Sequence, residues 1–393
     1  MNPPLNLPQI GGPDPLDAEI EARAPVTAPG RLAHLVRTRA ALGLPPLVAP
    51  ALVFVSLGVS LGPHGLDLVS PQVVAHLDAV LAAALAALGI FVGLGVDWTT
   101  PHERRLLAAA NVESTLTAAL VALAAWHLID AWRLPLDLSP AAAAAVLGLA
   151  AAASSAGHAD PGDDPLTHTA TRLADLDDVA PIVLGGILLA AFHRGGALDT
   201  ALLVALTAGA ALAIAAAGWL LFERARGAAE RAVFVLGAVL LLGGAAMYVG
   251  NSPLFTGLVA GLFWRRAPGR ADQVIRDDLR RLQHPLVVLL LVIAGASVAF
   301  DRLSTWLLVP FVAFRLAGKL AAGWAVSRAT PALAPADLGA WLIPPGLVGL
   351  AFALSVAGVV GSPAGTVFVS AVALGTLASE VVAMLVVPAG GRA

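Results

Sequence analysis

This 393-residue chain contains one lysine, and that lysine lies in an apolar setting. Lys319 falls within LSTWLLVPFVAFRLAGKLAAGWAV, residues 303–326, a run otherwise almost wholly apolar and long enough to cross a bilayer. The other 22 cations are arginines. An ammonium at membrane depth costs at least ~2.5–3.5 kcal/mol on insertion scales, so it needs a carboxylate partner. Two adjacent candidates, Asp177 and Asp178, stand in LDDVAPIVLGGILLA, residues 176–190. Neighbours on a helix point about 100° apart, so only one of them can face Lys319 while the other faces an aqueous cavity. A carboxylate in such a cavity can hold a hard monovalent cation or a proton. Two ligands competing for one carboxylate amount to exchange. Lys319 could take part by capturing or releasing a proton as its aspartate changes partners.

Three further ionisable groups share that depth. At a rise of about 1.5 Å per residue, the aspartates lie about 8–9 Å from the nearer end of their span, Lys319 and Glu380 about 12 Å, and Glu113 about 13 Å. Arg315 sits one helical turn before Lys319, on the same face. Its expected partner is Glu113 or Glu380, as a fixed pair bracing the helices. Ser154 and Ser155 could supply hydroxyl ligands, or could equally satisfy backbone carbonyls within an Ala-rich helix. His158 and His168 flank an acidic stretch containing Asp160, Asp163 and Asp164, and are expected to be solvated loop residues. No spacing matches a metal-ligand cluster, a phosphate loop or a hydrolase nucleophile elbow, so neither enzymatic chemistry nor a cofactor is expected.

The elements that must position these groups are membrane helices. Hydrophobic residues make up 58% of the chain and charged residues 12%, about half of the ~25% usual in soluble domains. A net charge of -3 gives no argument for nucleic acid, and the absence of cysteine excludes disulfides and thiolate metal sites. Residues 1–28 read as a disordered tail, and 30–42 as a short basic amphipathic helix on the membrane surface. The first 40 residues hold no apolar signal-peptide core. Hydropathy and breakers then predict an all-α integral membrane protein of about twelve transmembrane helices. They lie at 45–62, 77–97, 104–129, 139–157, 172–193, 199–222, 231–249, 252–264, 285–300, 304–327, 336–360 and 364–388. Gly250-Asn251-Ser252-Pro253 breaks the seventh from the short eighth.

With the N-terminus inside, 18 arginines fall on the inner side and three (Arg133, Arg194, Arg302) on the outer. That bias supports an even helix count with both termini cytoplasmic. The fourth span runs into a Gly/Pro/Asp-rich stretch at 157–165, and the eleventh is interrupted by Pro344-Pro345-Gly346. Paired interruptions in two halves point to an inverted-repeat transporter.

With these residues in hand, the chain resembles the monovalent cation:proton antiporter superfamily, in particular bacterial sodium/proton antiporters with two adjacent aspartates. LGPHGLDLVSP (61–71), LGIFVGLGVDW (88–98), LDDVAPIVLGGILLA (176–190), SPLFTGLVAGLFW (252–264) and FRLAGKLAAGW (314–324) carry the resemblance, and the double-aspartate segment is the most specific. The resemblance implies Asp178 as the carboxylate binding cation and proton, and Asp177 as the partner of Lys319. It implies that the two interrupted helices cross beside them, within a transmembrane domain spanning 43–390. That domain would divide into a mobile core (about 104–193 and 304–388) and a scaffold (about 45–97 and 199–300) that forms a homodimer. The implied activity is electrogenic exchange of a monovalent cation, sodium above all, for protons across a prokaryotic inner membrane. In family members the fourth span is longer beyond its break, with a Thr/Ser pair some thirty residues before the aspartates; here Ser154 precedes Asp177 by only 23. Two alternatives stand beside this expectation: a sodium-coupled organic-anion symporter on a related fold, and a transport-deficient relative with a sensory role.

Overall fold

A computed structural model describes residues 50–386, apart from 135, 137, 156–164, 195, 270, 332, 335–336 and 362. The expected tail and surface helix at 1–42, with His158, Asp160, Asp163 and Asp164, lie outside the described residues. The chain forms α1 (Pro50–Leu61), α2 (Pro71–His76), α3 (Asp78–Gly95), α4 (Pro101–Trp132) and α5 (Pro140–Ala152). There follow α6 (Pro165–Leu176), α7 (Val179–Arg194), α8 (Ala197–Arg224), α9 (Ala228–Val249) and α10 (Pro253–Arg266). The last five are α11 (Ala271–Ala296), α12 (Arg302–Ala329), α13 (Leu338–Trp341), α14 (Leu347–Val360) and α15 (Ala364–Val386).

Local chemistry sets these boundaries. α2, α4 and α5 each begin on a proline whose missing N–H is no loss there. Just before it, Ser70, Thr100 or Ser139 accepts a hydrogen bond from the N–H of Val73, Glu103 or Ala142. α9 stops at Gly250, whose φ of 76° is left-handed, so the expected break between the seventh and eighth spans is real. α3, α4, α8, α9, α12 and α15 are long and apolar enough to cross a membrane, and α1, α5, residues 282–296 and α14 are shorter apolar helices.

Three boundaries depart from expectation. The fourth span ends at Ala152, not 157. The fifth begins at Pro165, not 172, and is broken after Leu176, so the aspartates sit about twice as far from its start as expected. The ninth begins at Ala271 and continues through Pro285, because the stretch before that proline is amphipathic and hydropathy alone does not register it.

Small residues let the backbones approach. Gly89 and Gly93 on α3 face Gly257 and Gly261 on α10, each pair four residues apart, and a Cβ on any of them would strike the backbone of the other helix. The short α10 is thereby buried, and Trp264 anchors it by donating from Nε1 to the Ala215 carbonyl at 2.8 Å. α4 packs on α5 and α12, α12 on α15, and α14 on α5, α7 and α15.

One end of the bundle is tied by arginines. Arg265 pairs with Asp97 at 2.9 Å, Arg266 lies over the Trp98 ring, and Arg276 donates to Leu94 O. Arg172 bridges Glu103 and the Gly95 carbonyl. At the other end Trp132 meets Trp306 edge-on at 5.1 Å, as interfacial aromatics do.

The α3–α10 contact makes a direct prediction. Gly257→Ala should cost about 1–3 kcal/mol, since the added methyl meets the Ala86 carbonyl rather than a yielding side chain. At Gly237, where an added Cβ meets nothing, alanine should be neutral or stabilising by up to about 1 kcal/mol. Thermal unfolding of the detergent-solubilised variants measures both.

Candidate ion-binding site

The site is built where two helices are interrupted side by side. α5 ends at Ala152 and the chain runs extended through Ala153–Ser155. On the other strand, α13 ends before the extended residues preceding α14. The two extended segments lie antiparallel, bridged between Ser154 and Pro345. Ser155 N–H donates to Pro344 O at 3.0 Å and Gly346 N–H to Ala153 O at 3.2 Å. A Cβ at Gly346 would lie 2.7 Å from Ser154 O, so only glycine allows this approach. The expected crossing of interrupted helices therefore forms, although only residues 156–164 separate Ser155 from α6.

Breaking a helix exposes carbonyls that no N–H satisfies, and in a membrane interior these need partners. Arg315 supplies them. Its guanidinium donates to Ala153 O at 2.8 Å, to Ile343 O at 2.9 Å and, more weakly, to Pro344 O at 3.4 Å. One planar fork thus ties both strands of the crossing. Of the two acids expected for Arg315, Glu113 is engaged elsewhere and Glu380 lies beside the guanidinium and acts on its charge. Its two terminal nitrogens donate to backbone oxygens, while Asp177, Glu113 and Glu380 lie within electrostatic reach.

Lys319 takes Glu113 instead. Its Nζ lies 3.1 Å from Asp177 Oδ2 and 3.1 Å from Glu113 Oε2. Lys319 has 0% exposure, and Glu113 and Asp177 have 1% each. The expected pairing of Lys319 with the acid pair is present, and the second carboxylate was not foreseen. Both carboxylates are fixed on their other oxygen. Ser154 N–H donates to Asp177 Oδ1 at 3.3 Å, and Thr117 Oγ1 donates to Glu113 Oε1 at 2.9 Å. Thr117 was also missed, although a hydroxyl one helical turn after a buried acid is visible in the sequence.

Asp178 is placed differently from its neighbour. It is partly exposed, yet its Oδ1 is shielded and takes no hydrogen bond. Ser154 Oγ is likewise buried without a hydrogen bond, while the Ser155 side chain is half-buried. The helix is broken at this pair, between α6 and α7, and Pro181 accounts for the break. Proline lacks an N–H and its ring crowds the carbonyl four residues earlier, which here belongs to Asp177. The site thus gathers two carboxylate-bearing residues and a hydroxyl, next to the Asp177 carbonyl, to which Pro181 has no N–H to give. Oxygen donors of this kind suit a hard cation. Glu380 on α15 adds a further buried acid beside Arg315. His168 is exposed, as expected of a solvated residue, though it lies within α6.

The role of Arg315 is testable. Arg315→Lys keeps the charge but loses the fork, leaving buried carbonyls unsatisfied. Each such group costs about 1–3 kcal/mol, so the variant should unfold at a clearly lower temperature than the parent.

No protein-family model matches the sequence, and no curated protein matches it. Among solved structures, the sodium proton antiporter MjNhaP1 from Methanocaldococcus jannaschii, determined at pH 8, superimposes with a TM-score of 0.60 over 90% of this chain and 93% of that one, at 18% identity. A likeness at that identity speaks to architecture. The chain is an all-helical, multi-pass membrane protein with the fold of a sodium proton antiporter.

Proposed function

We propose that the protein is a secondary-active antiporter exchanging a monovalent cation, sodium foremost, for protons by alternating access. The observation that carries this is the buried Lys319–Asp177 contact beside Asp178, at a crossing of two interrupted helices. Asp178 is the carboxylate that cation and proton contest. Asp177 is the switching partner of Lys319. Ser154 and the carbonyl released by Pro181 complete the oxygen set. A fold shared with a sodium proton antiporter supports the reading, and the paired carboxylates give it chemistry in this chain.

The remaining features take their places within that proposal. The arginine-tied end, with Arg172, Arg265 and Arg276, faces the cytoplasm of a prokaryotic inner membrane, as the bias of basic residues favours. Helices α4–α7 and α12–α15 form the moving core. Helices α1, α3 and α8–α11 form the scaffold, which holds a homodimer. A cavity of about 210 Å³, lined by Asp78, Asn251 and Ser355 among others, lies between α3, the α9–α10 turn and α14, where the two groups meet. The exchange is electrogenic, with two protons moved against one cation, because Asp177 and Asp178 can each take up a proton. Neither an organic-anion substrate nor a sensory role has an observation in its favour, since the buried polar groups are ionic and suited to small cations.

Reconstituted vesicles loaded with a pH-sensitive dye test this. A pulse of sodium or lithium should dissipate an imposed proton gradient, and Asp178→Asn should reduce that rate at least about 100-fold, in line with the loss of an essential ligand. Undiminished exchange in Asp178→Asn would refute the assignment.

A further inference from the structure

We infer that Glu113 is the standing counter-ion of Lys319, and that its presence releases Asp177 to carry a proton; this rests on the antiport proposal. The geometry distinguishes the two carboxylates that share the ammonium. Glu113 sits mid-way along the unbroken α4, which packs directly on the α12 helix bearing Lys319. Both carboxylates are engaged on both oxygens, but the second partner of Glu113 is Thr117 of its own helix, whereas that of Asp177 lies on the crossing strand. Asp177 sits at the break between α6 and α7, held by one backbone N–H from the crossing strand. The first can hold its place while the second moves.

The charged groups facing this cluster are few. From α12 come Lys319 and Arg315, from the α6–α7 break Asp177 and Asp178, from the last turn of α6 Asp175, which acts on Asp178, and from α15 Glu380. α5, packed on α4, contributes no titratable side chain among PAAAAAVLGLAAA. Arg315 is occupied by the carbonyls of the crossing. Lys319 is therefore the cation that the movable acids address.

Were Asp177 the sole partner, protonating it would strand an ammonium in a dry interior, where breaking a buried pair is strongly unfavourable. Asp177 would then stay locked to Lys319, and Asp178 alone would cycle. With Glu113 at 3.1 Å the ammonium remains neutralised whatever Asp177 does. Both aspartates can then accept protons, and Lys319 keeps its own throughout the cycle. Glu113 touches neither cation nor transported proton. It is a positioning residue that sets how many protons move.

Two measurements test this. In vesicles clamped at defined membrane potentials, the reversal potential gives protons per cation. The wild type should give two, and Glu113→Gln should give one, turning exchange electroneutral. A merely bracing residue would change rate or stability without moving this ratio. An active Glu113→Gln that keeps the wild-type ratio, or a wild type that already exchanges one for one, overturns the inference. The second measurement needs no transport and exploits the single lysine. Only a neutral amine is acylated, so reaction of Lys319 with acetic anhydride at pH 8, read by mass spectrometry against the N-terminal amine, reports whether the side chain is still held as an ammonium. Asp177→Asn should leave Lys319 as unreactive as in the wild type, because Glu113 remains. The double variant Glu113→Gln, Asp177→Asn should raise its reactivity at least about 10-fold. If Asp177→Asn alone makes Lys319 readily acylated, Glu113 is not the counter-ion, and that single variant decides the matter even where the double variant does not fold. Should the wild type show no exchange while the acylation pattern holds, the antiport proposal fails and the pairing of Glu113 with Lys319 stands.

Discussion

A charge in hydrocarbon must be neutralised by something that folds to meet it, and here that constraint organises half the protein. Lys319 on α12 has no water to turn to. Its two carboxylates come from α4 and from the α6–α7 break, more than 140 residues away along the chain. These helices must pack so that Nζ reaches both acids at 3.1 Å, which fixes their relative rotation and depth. Losing Lys319 would leave two buried carboxylates uncompensated, typically at a cost of several kcal/mol. The ion cluster therefore defines the register in which the apolar faces of α4, α5 and α12 are allowed to meet.

The crossing poses the complementary problem of unpaired backbone, and Arg315 answers it one turn away on the same helix. α5 presents its negative dipole end to the crossing, and the residues before α14 present more carbonyls. A guanidinium is suited to this task because it stays charged and reaches two strands at once. A single helix, α12, thus supplies both cations of the site in a division of labour. Arg315 is committed to backbone and builds the frame, whereas Lys319 is committed to carboxylates and can respond to their state.

Much of this was legible in the sequence because membrane depth leaves few choices. The isolated lysine, the double aspartate and the Pro-Pro-Gly interruption each violate the local preference for apolar helix, and violations of that kind mark function. All twelve expected spans correspond to helices or helix pairs. What was not legible was direction. Spacing along α12 placed Arg315 and Lys319 on one face, but it could not say which would take carbonyls and which carboxylates, so Glu113, one of two acids expected for Arg315, is found on Lys319 instead. The ends of α5 and α6 escaped for a different reason. A Ser-Ser pair after an Ala-rich run continues a helix by propensity, and only the opposing strand of Pro344–Gly346 makes an extended course the better one. Pro181 was a local signal left unused. Its effect falls four residues upstream, on Asp177, the residue whose mobility the proposed mechanism requires.

Charge balance then limits what the cluster can do. Lys319 contacts two acids, Glu113 and Asp177, so one ammonium faces two buried carboxylates with the half-buried Asp178 beside them, and burial disfavours that excess as bare anions. In the proposed antiport that excess is met by positive charge drawn from outside, as protons or as a cation among the oxygens at Asp178. Those acids differ in how firmly they are held. Glu113 is fixed through Thr117 on a continuous helix, whereas the aspartates sit where Pro181 has already broken the backbone ladder. The proposed exchange therefore places its mobile charge at the aspartates rather than spreading it over the cluster. That is where the two interrupted strands leave Asp178 Oδ1 and Ser154 Oγ without hydrogen bonds of their own.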